Sequence, residues 1–365
     1  MPKPKKILKI IGGVIIFFTL PSLLFFAFMY FKYNEDLPTG EQSLAADKLA
    51  VRMLNALNHD AYKATDYIEF TFKKRHHFKW NKAENTCEVY WKNIRVNLDL
   101  TNHDNSEVYV SEELYTGEKV HDYIHKAEDL FNNDTFWLVA PYKVFDEGVE
   151  RRLVKTEDGK DALLVTYTNG GSTPGDSYLW HFDDNGKPTS YQMWVDILPI
   201  DGLEASWSDW TTTETGMQLP TFHKLLVLGL EIEGIKTEQL ELKDGDITNM
   251  DVVFMKTGIS SPISIQDMQL RYMYAEHDEN VFQKTIKNRY FLNTFKKKFS
   301  ELKSTKEDGR FMDARFSILI NYKSKPTDTL ALGEHGTIAL NDVKHEFSEE
   351  LVNMVKDELL YYIKY

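Results

Sequence analysis

The sequence predicts an α+β fold in three parts: one transmembrane helix, an antiparallel sheet covered by helices, and a small C-terminal α+β domain. Three observations predict it. From Ile10 to Phe31 there is no Asp, Glu, Lys, Arg or His, so no side chain is charged at neutral pH. Beyond that stretch, short runs alternate apolar and polar residues between clusters of Asn, Asp and Gly, the pattern of antiparallel strands and their turns. Aromatic residues make up 13% of the chain, a share that suits sheets with broad half-buried faces.

The uncharged stretch comes first. As a helix, residues 10–31 rise ~33 Å, enough to cross a hydrocarbon core of about 30 Å. Lys3, Lys5, Lys6 and Lys9 precede it and Glu35 and Asp36 follow it. Basic residues on the short leading side keep residues 1–9 in the cytoplasm and send the chain after Tyr33 across the membrane. A cleaved secretory signal is the competing reading, but it needs a shorter apolar core followed by small residues at the cleavage site. Leu23 to Phe31 is too bulky for that, and Ser43-Leu44-Ala45 lies too far on. Cys87, the only cysteine, stands too deep in the chain to carry a lipid at a mature start. The expected location is a single-pass inner-membrane protein with its C-terminal region in the periplasm, joined to the anchor by a polar linker, 32–42.

Residues 43–60 carry Ala46, Leu49, Ala50, Met53 and Leu57 at helical spacing. Alternation follows: Ile68, Phe70 and Phe72 share one face of a strand, and further strands are expected at 78–80, 87–91, 94–100, 108–110 and 114–116. Residues 118–132 return to a helical pattern, closed after Phe136-Trp137-Leu138 by Pro141. A second strand series covers 151–155, 162–167, 177–182, 189–195 and 204–212, with Asp158-Gly159 and Asn185-Gly186 as hairpin turns. Polar residues thicken around 239–257, which places a domain boundary near Thr257, so the sheet domain is 43–257 and the C-terminal domain 258–365. The latter reads as strand 265–274, helix 280–302, strand 315–322, hairpin 329–340 and helix 348–364.

The formal charge of -13 argues against nucleic acid as a partner. Lys73-Lys74-Arg75-His76-His77, the one dense basic run after the anchor, is expected to be a solvated hairpin turn. His121 and His125 have a spacing that could bind a metal on one helix face, yet no third ligand stands nearby; His223 or Glu118 would have to serve. The exposed-face reading is preferred, and no metal is predicted. His76 and His77 alternate across a strand and cannot both turn to one ion. Cys87 is expected to be a buried small hydrophobe. Asp158-Gly-Lys-Asp161 and Asp183-Asp-Asn-Gly186 lack the calcium-loop register, and Asn169-Gly170-Gly171 lacks the lysine of a phosphate loop. No cofactor is implied. No nucleophile, base and oxyanion donors assemble from neighbouring motifs, so the chain is not expected to be an enzyme.

The stretch Asp134-Thr-Phe-Trp-Leu-Val-Ala-Pro-Tyr142 with Asp146-Glu-Gly148 resembles a signature of the LolA/LolB-like lipoprotein-carrier superfamily. Gly175-Asp176, Tyr178, Trp180, Phe182, Asn185-Gly-Lys-Pro188, Tyr191, Trp194, Trp207, Trp210 and Leu219-Pro-Thr-Phe-His223 resemble the latter half of uncharacterised Bacteroidota members. The resemblance spans about residues 45–238. It implies a strongly curved, unclosed sheet, a half-barrel wrapped around helices, with an apolar cavity for acyl chains. Phe70, Phe72, Trp80, Tyr90, Trp137, Trp180 and Trp194 are then the expected ligand-lining residues, against the plainer role of core packing. Two departures stand beside it: this chain has its own helix where the family has a released carrier or a lipidated cysteine, and it has an added C-terminal domain.

Two functions compete on this reading. One is an envelope protein that binds a lipid, a lipoprotein acyl chain or another apolar ligand in the sheet cavity. The other is a structural or regulatory protein whose C-terminal domain docks a protein partner.

Overall fold

The computed structural model describes residues 4–169, 174–256, 258–259 and 263–363. The boundary expected at Thr257 and the glycines of the loop after Asn169 lie outside them. The fold is mixed α+β, with a 13-stranded antiparallel sheet and a seven-stranded one. Its helices are α1 (Pro4–Tyr33), α2 (Leu44–Ala56), α3 (His59–Ala64), α4 (Val120–Val139), α5 (Asp267–Ala275), α6 (Arg289–Phe299) and α7 (Glu349–Ile363). Within α1, Gly12–Tyr33 is long and apolar enough to cross a membrane. The chain divides into two compact units. One holds Met1–Met53, Asp146–Asp209 and Phe222–Leu230; the other holds Leu54–Phe145, Trp210–Thr221 and Glu231–Tyr365.

In the first unit the strands lie in the order Phe222–Leu225, Leu203–Ser206, Pro188–Trp194, Ser177–Phe182, Asp161–Tyr167, Val149–Lys155. Both faces are apolar. Leu163, Trp180, Tyr191 and Ala205 stand opposite one another on one face, while Val154, Ala162, Leu164, Leu179 and Trp194 cluster on the other. Residues 34–41, expected as a linker, are pinned to this sheet. The Glu35 N–H donates to the Asp201 carbonyl (3.1 Å), the Trp194 indole donates to the Glu35 carbonyl (2.8 Å), and the Gln192 amide donates to the Glu35 carboxylate (2.7 Å). Glu41 pairs with Leu153 through two backbone bonds (2.8 and 2.7 Å).

The second unit carries Tyr67–Phe72, His76–Asn81, Thr86–Trp91, Ile94–Asp99 and Glu107–Val110 as successive antiparallel neighbours. Period-two burial is strict: Ile68, Phe70 and Phe72, then Phe78 and Trp80, then Cys87, Val89 and Trp91 are buried. Helix α4 covers this face through Ile124, Ala127, Phe131 and Leu138. The seven-stranded sheet is ordered Val281–Ile286, Ile247–Met255, Phe316–Tyr322, Asp328–Leu332, Ile338–Leu340, Val343–His345, Ser304–Asp308. Phe291, Leu292 and Phe295 of α6 and Leu351, Val352 and Val355 of α7 share one core with it. Leu270 of α5 joins a second cluster with Val253, Met255 and Val281.

Several expectations are corrected. Asp267–Ala275 form α5 where a strand was expected at 265–274: Gln266 and Gln269 cap its start reciprocally. The alternation there came from Met268 and Tyr272, which stay 74% and 65% exposed. The single helix expected at 280–302 is strand Val281–Ile286 followed by α6, opened by Asn288, whose side chain accepts from the Phe291 N–H (3.3 Å). The first helix breaks at Asn58, which adopts the left-handed conformation (φ 58°). The helical pattern expected at 118–132 extends as α4 to Val139 and stops before Pro141, as that proline led one to expect. Strands Leu228–Glu238 and Ile247–Met255 were not expected.

Candidate functional site

Five of the seven expected lining residues, Phe70, Phe72, Trp80, Trp180 and Trp194, are buried. Phe70 stacks on Phe78 with centroids 4.8 Å apart. Trp80 meets Phe131 of α4 edge to face at 5.2 Å. Trp180 lies 5.0 Å from Tyr191 and 4.9 Å from Trp207. Trp194 is held by its bond to Glu35. Tyr90 and Trp137 are half-buried. Tyr90 points to the face away from α4, where it bonds the Glu88 carboxylate and accepts from Lys79 (3.2 Å).

The histidines separate. His121 and His125 are exposed on α4, as expected of a solvated face. His223 is buried 4.6 Å from the Trp207 ring, with Nδ1 2.9 Å from the Ser206 carbonyl. Among the described residues no group of three His, Cys, Asp or Glu could hold a metal. Cys87 is buried, and burial pushes its thiol well up.

His76 and His77 do diverge. His77 Nδ1 lies 2.9 Å from Thr71 Oγ1. His76 turns to α4, where Nδ1 lies 2.6 Å from Asp134 Oδ2, a pair the sequence reading missed. Asp134 is 1% exposed. Burial pushes its carboxyl up against the opposing pull of Asn133 and His76. The pair can orient an imidazole. Among the described residues no hydroxyl or thiol is bonded to the ring's other nitrogen.

A polar cleft of about 500 Å³ in the second unit gathers Asp60, Lys63, Thr215, Lys284, Lys287 and Glu358. Two ion pairs cross its lining, Lys63–Glu358 (3.0 Å) and Lys284–Asp60 (2.8 Å). Nearby, the Lys82 ammonium sits 3.8 Å from the Tyr62 ring centroid and donates to the Tyr62 carbonyl. Burial, then the Lys63 ammonium, holds Lys82 down to about 7. Tyr62 stacks on Tyr142 at 4.2 Å, and the Tyr142 hydroxyl donates to the Leu57 carbonyl (2.7 Å). His59, beside both rings, is pushed down to about 3, first by burial and then by Lys63. Asp66 accepts from the Leu240 N–H (2.8 Å) and from Arg289 (3.4 Å).

A second hollow of about 760 Å³ lies along α6 and α7, with Tyr290, Phe291 and Met354 among Lys298, Glu349 and Asp357. None of the seven expected aromatic residues lines either space. In the sequence Lys82 reads as one polar residue of a turn and Glu358 as one charge on a helix. Only the fold brings their neighbourhoods together, so no local signal could have found this site.

No family model matches the chain, and no curated protein matches it.

Proposed function

We propose that the chain is a single-pass membrane protein whose folded units work outside the cytoplasm, in the periplasm of a two-membrane envelope, as a non-catalytic interaction module. One observation carries the membrane half of this reading. Large apolar side chains along the described part of α1 are uncovered, Phe17 at 71%, Phe25 at 65% and Phe31 at 88% exposure, a surface suited to another apolar phase. The ligand we propose is a charged segment of a protein partner, taken by the cleft around Lys63, Lys284 and Glu358. Both ion pairs there can exchange their partners for a ligand's charges, and rim pairs of this kind contribute to specificity more than to affinity.

The full chain with a photo-crosslinker at Lys287 is to be expressed in cells and the membrane fraction examined. A discrete crosslinked protein, lost when Lys63→Glu and Lys284→Glu are combined, supports the reading. A smear unaffected by those changes refutes it.

A lipid or acyl-chain ligand, implied by the LolA-like resemblance, is the second reading. It is favoured by the Trp80 and Trp180 indole N–H groups, which are buried without a hydrogen-bond acceptor among the described residues. A carbonyl of a bound lipid would satisfy such a donor. Native mass spectrometry of the gently extracted protein decides: a stoichiometric lipid adduct supports it, and a clean apo mass rejects it.

A further inference from the structure

We infer that one end of the first unit's sheet dips into the headgroup layer of the membrane that α1 crosses, through two hairpin tips, residues 195–200 and 226–228. This rests on the membrane-spanning reading of α1.

The sheet end is located by the residues that follow the helix. Helix α1 stops at Tyr33. The next residue, Asn34, accepts from the Asp201 N–H (3.0 Å), and Glu35 bonds Asp201, Gln192 and Trp194. The fit at this join is close: a Cβ on Gly202 would lie 2.8 Å from Glu35 Cβ. With a helical rise of about 1.5 Å per residue and a headgroup zone roughly 5–8 Å deep on each side of the hydrocarbon, residues 34 and 35 stay at headgroup level, and so does Asp201.

The register then places the second tip. Ala205 pairs with Leu225 in antiparallel strands, so the start of Leu203–Ser206 lies beside the end of Phe222–Leu225. The tip 226–228 therefore shares its end of the sheet with Asp201 and Gly202. The opposite end carries Asn185-Gly186, because Phe182 pairs with Pro188 while Ser177 pairs with Trp194, and Asp158-Gly159, because Lys155 pairs with Asp161 while Thr166 pairs with Ser177.

The two ends differ in chemistry. The far turns use Asp, Asn and Gly, the usual residues of a solvated hairpin. The near tips expose Ile197 at 70%, Val227 at 92% and Leu228 at 58%. Leu225, Leu226, Val227 and Leu228 are consecutive, and Leu226 holds a left-handed backbone (φ 54°) that favours glycine or asparagine. A water-facing tip gains nothing from such residues; one lying in the interface buries them. Asp196 and Asp201 flank the first tip, Glu35 bonds Asp201, and Lys224 precedes the second tip, so charges of both signs stand beside the apolar residues and insertion is shallow.

The full chain, carrying Cys87→Ala, is to be reconstituted in nanodiscs of phosphatidylethanolamine with a minor share of phosphatidylglycerol. An environment-sensitive dye is attached at Val227→Cys, Ile197→Cys, Phe25→Cys or Asp158→Cys, one site at a time. Tryptophan emission from the buried Trp180 and Trp207 verifies that each variant is folded. The dyes at 227 and 197 should lose emission to lipid spin-labelled near the headgroup and be shielded from iodide, whereas the dye at 158 should respond to iodide alone. If 227 and 197 behave like 158 while 25 is quenched by lipid, the inference is overturned and the anchor stands. If the dye at 25 is also quenched by iodide, the anchor itself fails and this inference with it.

Discussion

Replacing Trp80 by alanine tests whether the aromatic face of the second unit is filled or hollow. Trp80 is 6% exposed and its ring meets Phe131 of α4 edge to face at 5.2 Å. Truncating a packed tryptophan costs about 3–5 kcal/mol, a transfer term plus the cavity left behind. At about 1.4 kcal/mol per tenfold, protection of the amides in His76–Asn81 and α4 should fall by roughly a hundredfold to several thousandfold. Hydrogen exchange on the full chain in nanodiscs reads that loss. Phe131→Ala completes a double-mutant cycle whose coupling should be about 0.5–1.5 kcal/mol, the range for aromatic pairs. A loss under about 1 kcal/mol with no coupling would refute the packing argument, because a ring bordering open space has few contacts to lose.

Other outcomes follow from the charged residues and from the join to α1. Lys82 has a folded value of about 7 against 10.5, so the unfolded chain binds the extra proton between those limits and stability should rise as pH climbs from about 7 to 10.5. Lys82→Met should abolish that slope in pH-dependent unfolding. It should also be more stable at pH 7 by about 1–2 kcal/mol, since partial solvent contact cuts the full linkage value of roughly 5 kcal/mol. His59, pushed down to about 3, binds its proton in the unfolded chain first, so stability should fall as pH drops from 6.5 toward 3. His59→Phe should flatten that acid limb, which the same titration measures. Arg289→Met leaves the Asp66 carboxylate, 3% exposed, without its guanidinium and should cost about 3–5 kcal/mol in urea unfolding. Adding Asp66→Asn should recover most of it. Gly202→Ala, at φ 76° against Glu35, should loosen the join by at least about 1 kcal/mol, seen as faster exchange of the amides at 34–36.

Elements whose buried residues repeat at a clean period were legible. The run Ile68, Phe70, Phe72 and its partners Phe78 and Trp80 form strands whose buried faces match the alternation. Of the basic run after Phe72 only Lys73, Lys74 and Arg75 turn, with Lys73 and Lys74 both left-handed, while His76 and His77 already belong to the next strand. Alternation misled where apolar residues stay exposed, as Met268 and Tyr272 do in α5, because a pattern carries no record of which face is covered. Helix boundaries set by a single side chain, Asn288 for α6 and the left-handed Asn58 between α2 and α3, carry too little local signal to separate them from a solvated polar residue. The candidate site was not legible. The ionic cleft draws its members from residues 60, 63, 284 and 358, too far apart in the chain for a local pattern to join them.

Pinning residues 34–41 has a mechanical consequence. Tension on the membrane segment would load the Asn34 and Glu35 bonds to Asp201, Gln192 and Trp194 before it reached anything else. Only when these four part would the strain pass to Glu41, which holds the outermost strand Val149–Lys155 by two backbone bonds at Leu153. Lateral drag in the bilayer would then peel one border strand instead of shearing the sheet across its middle, so the interior around Trp180 and Trp207 is the last part of that unit to feel it.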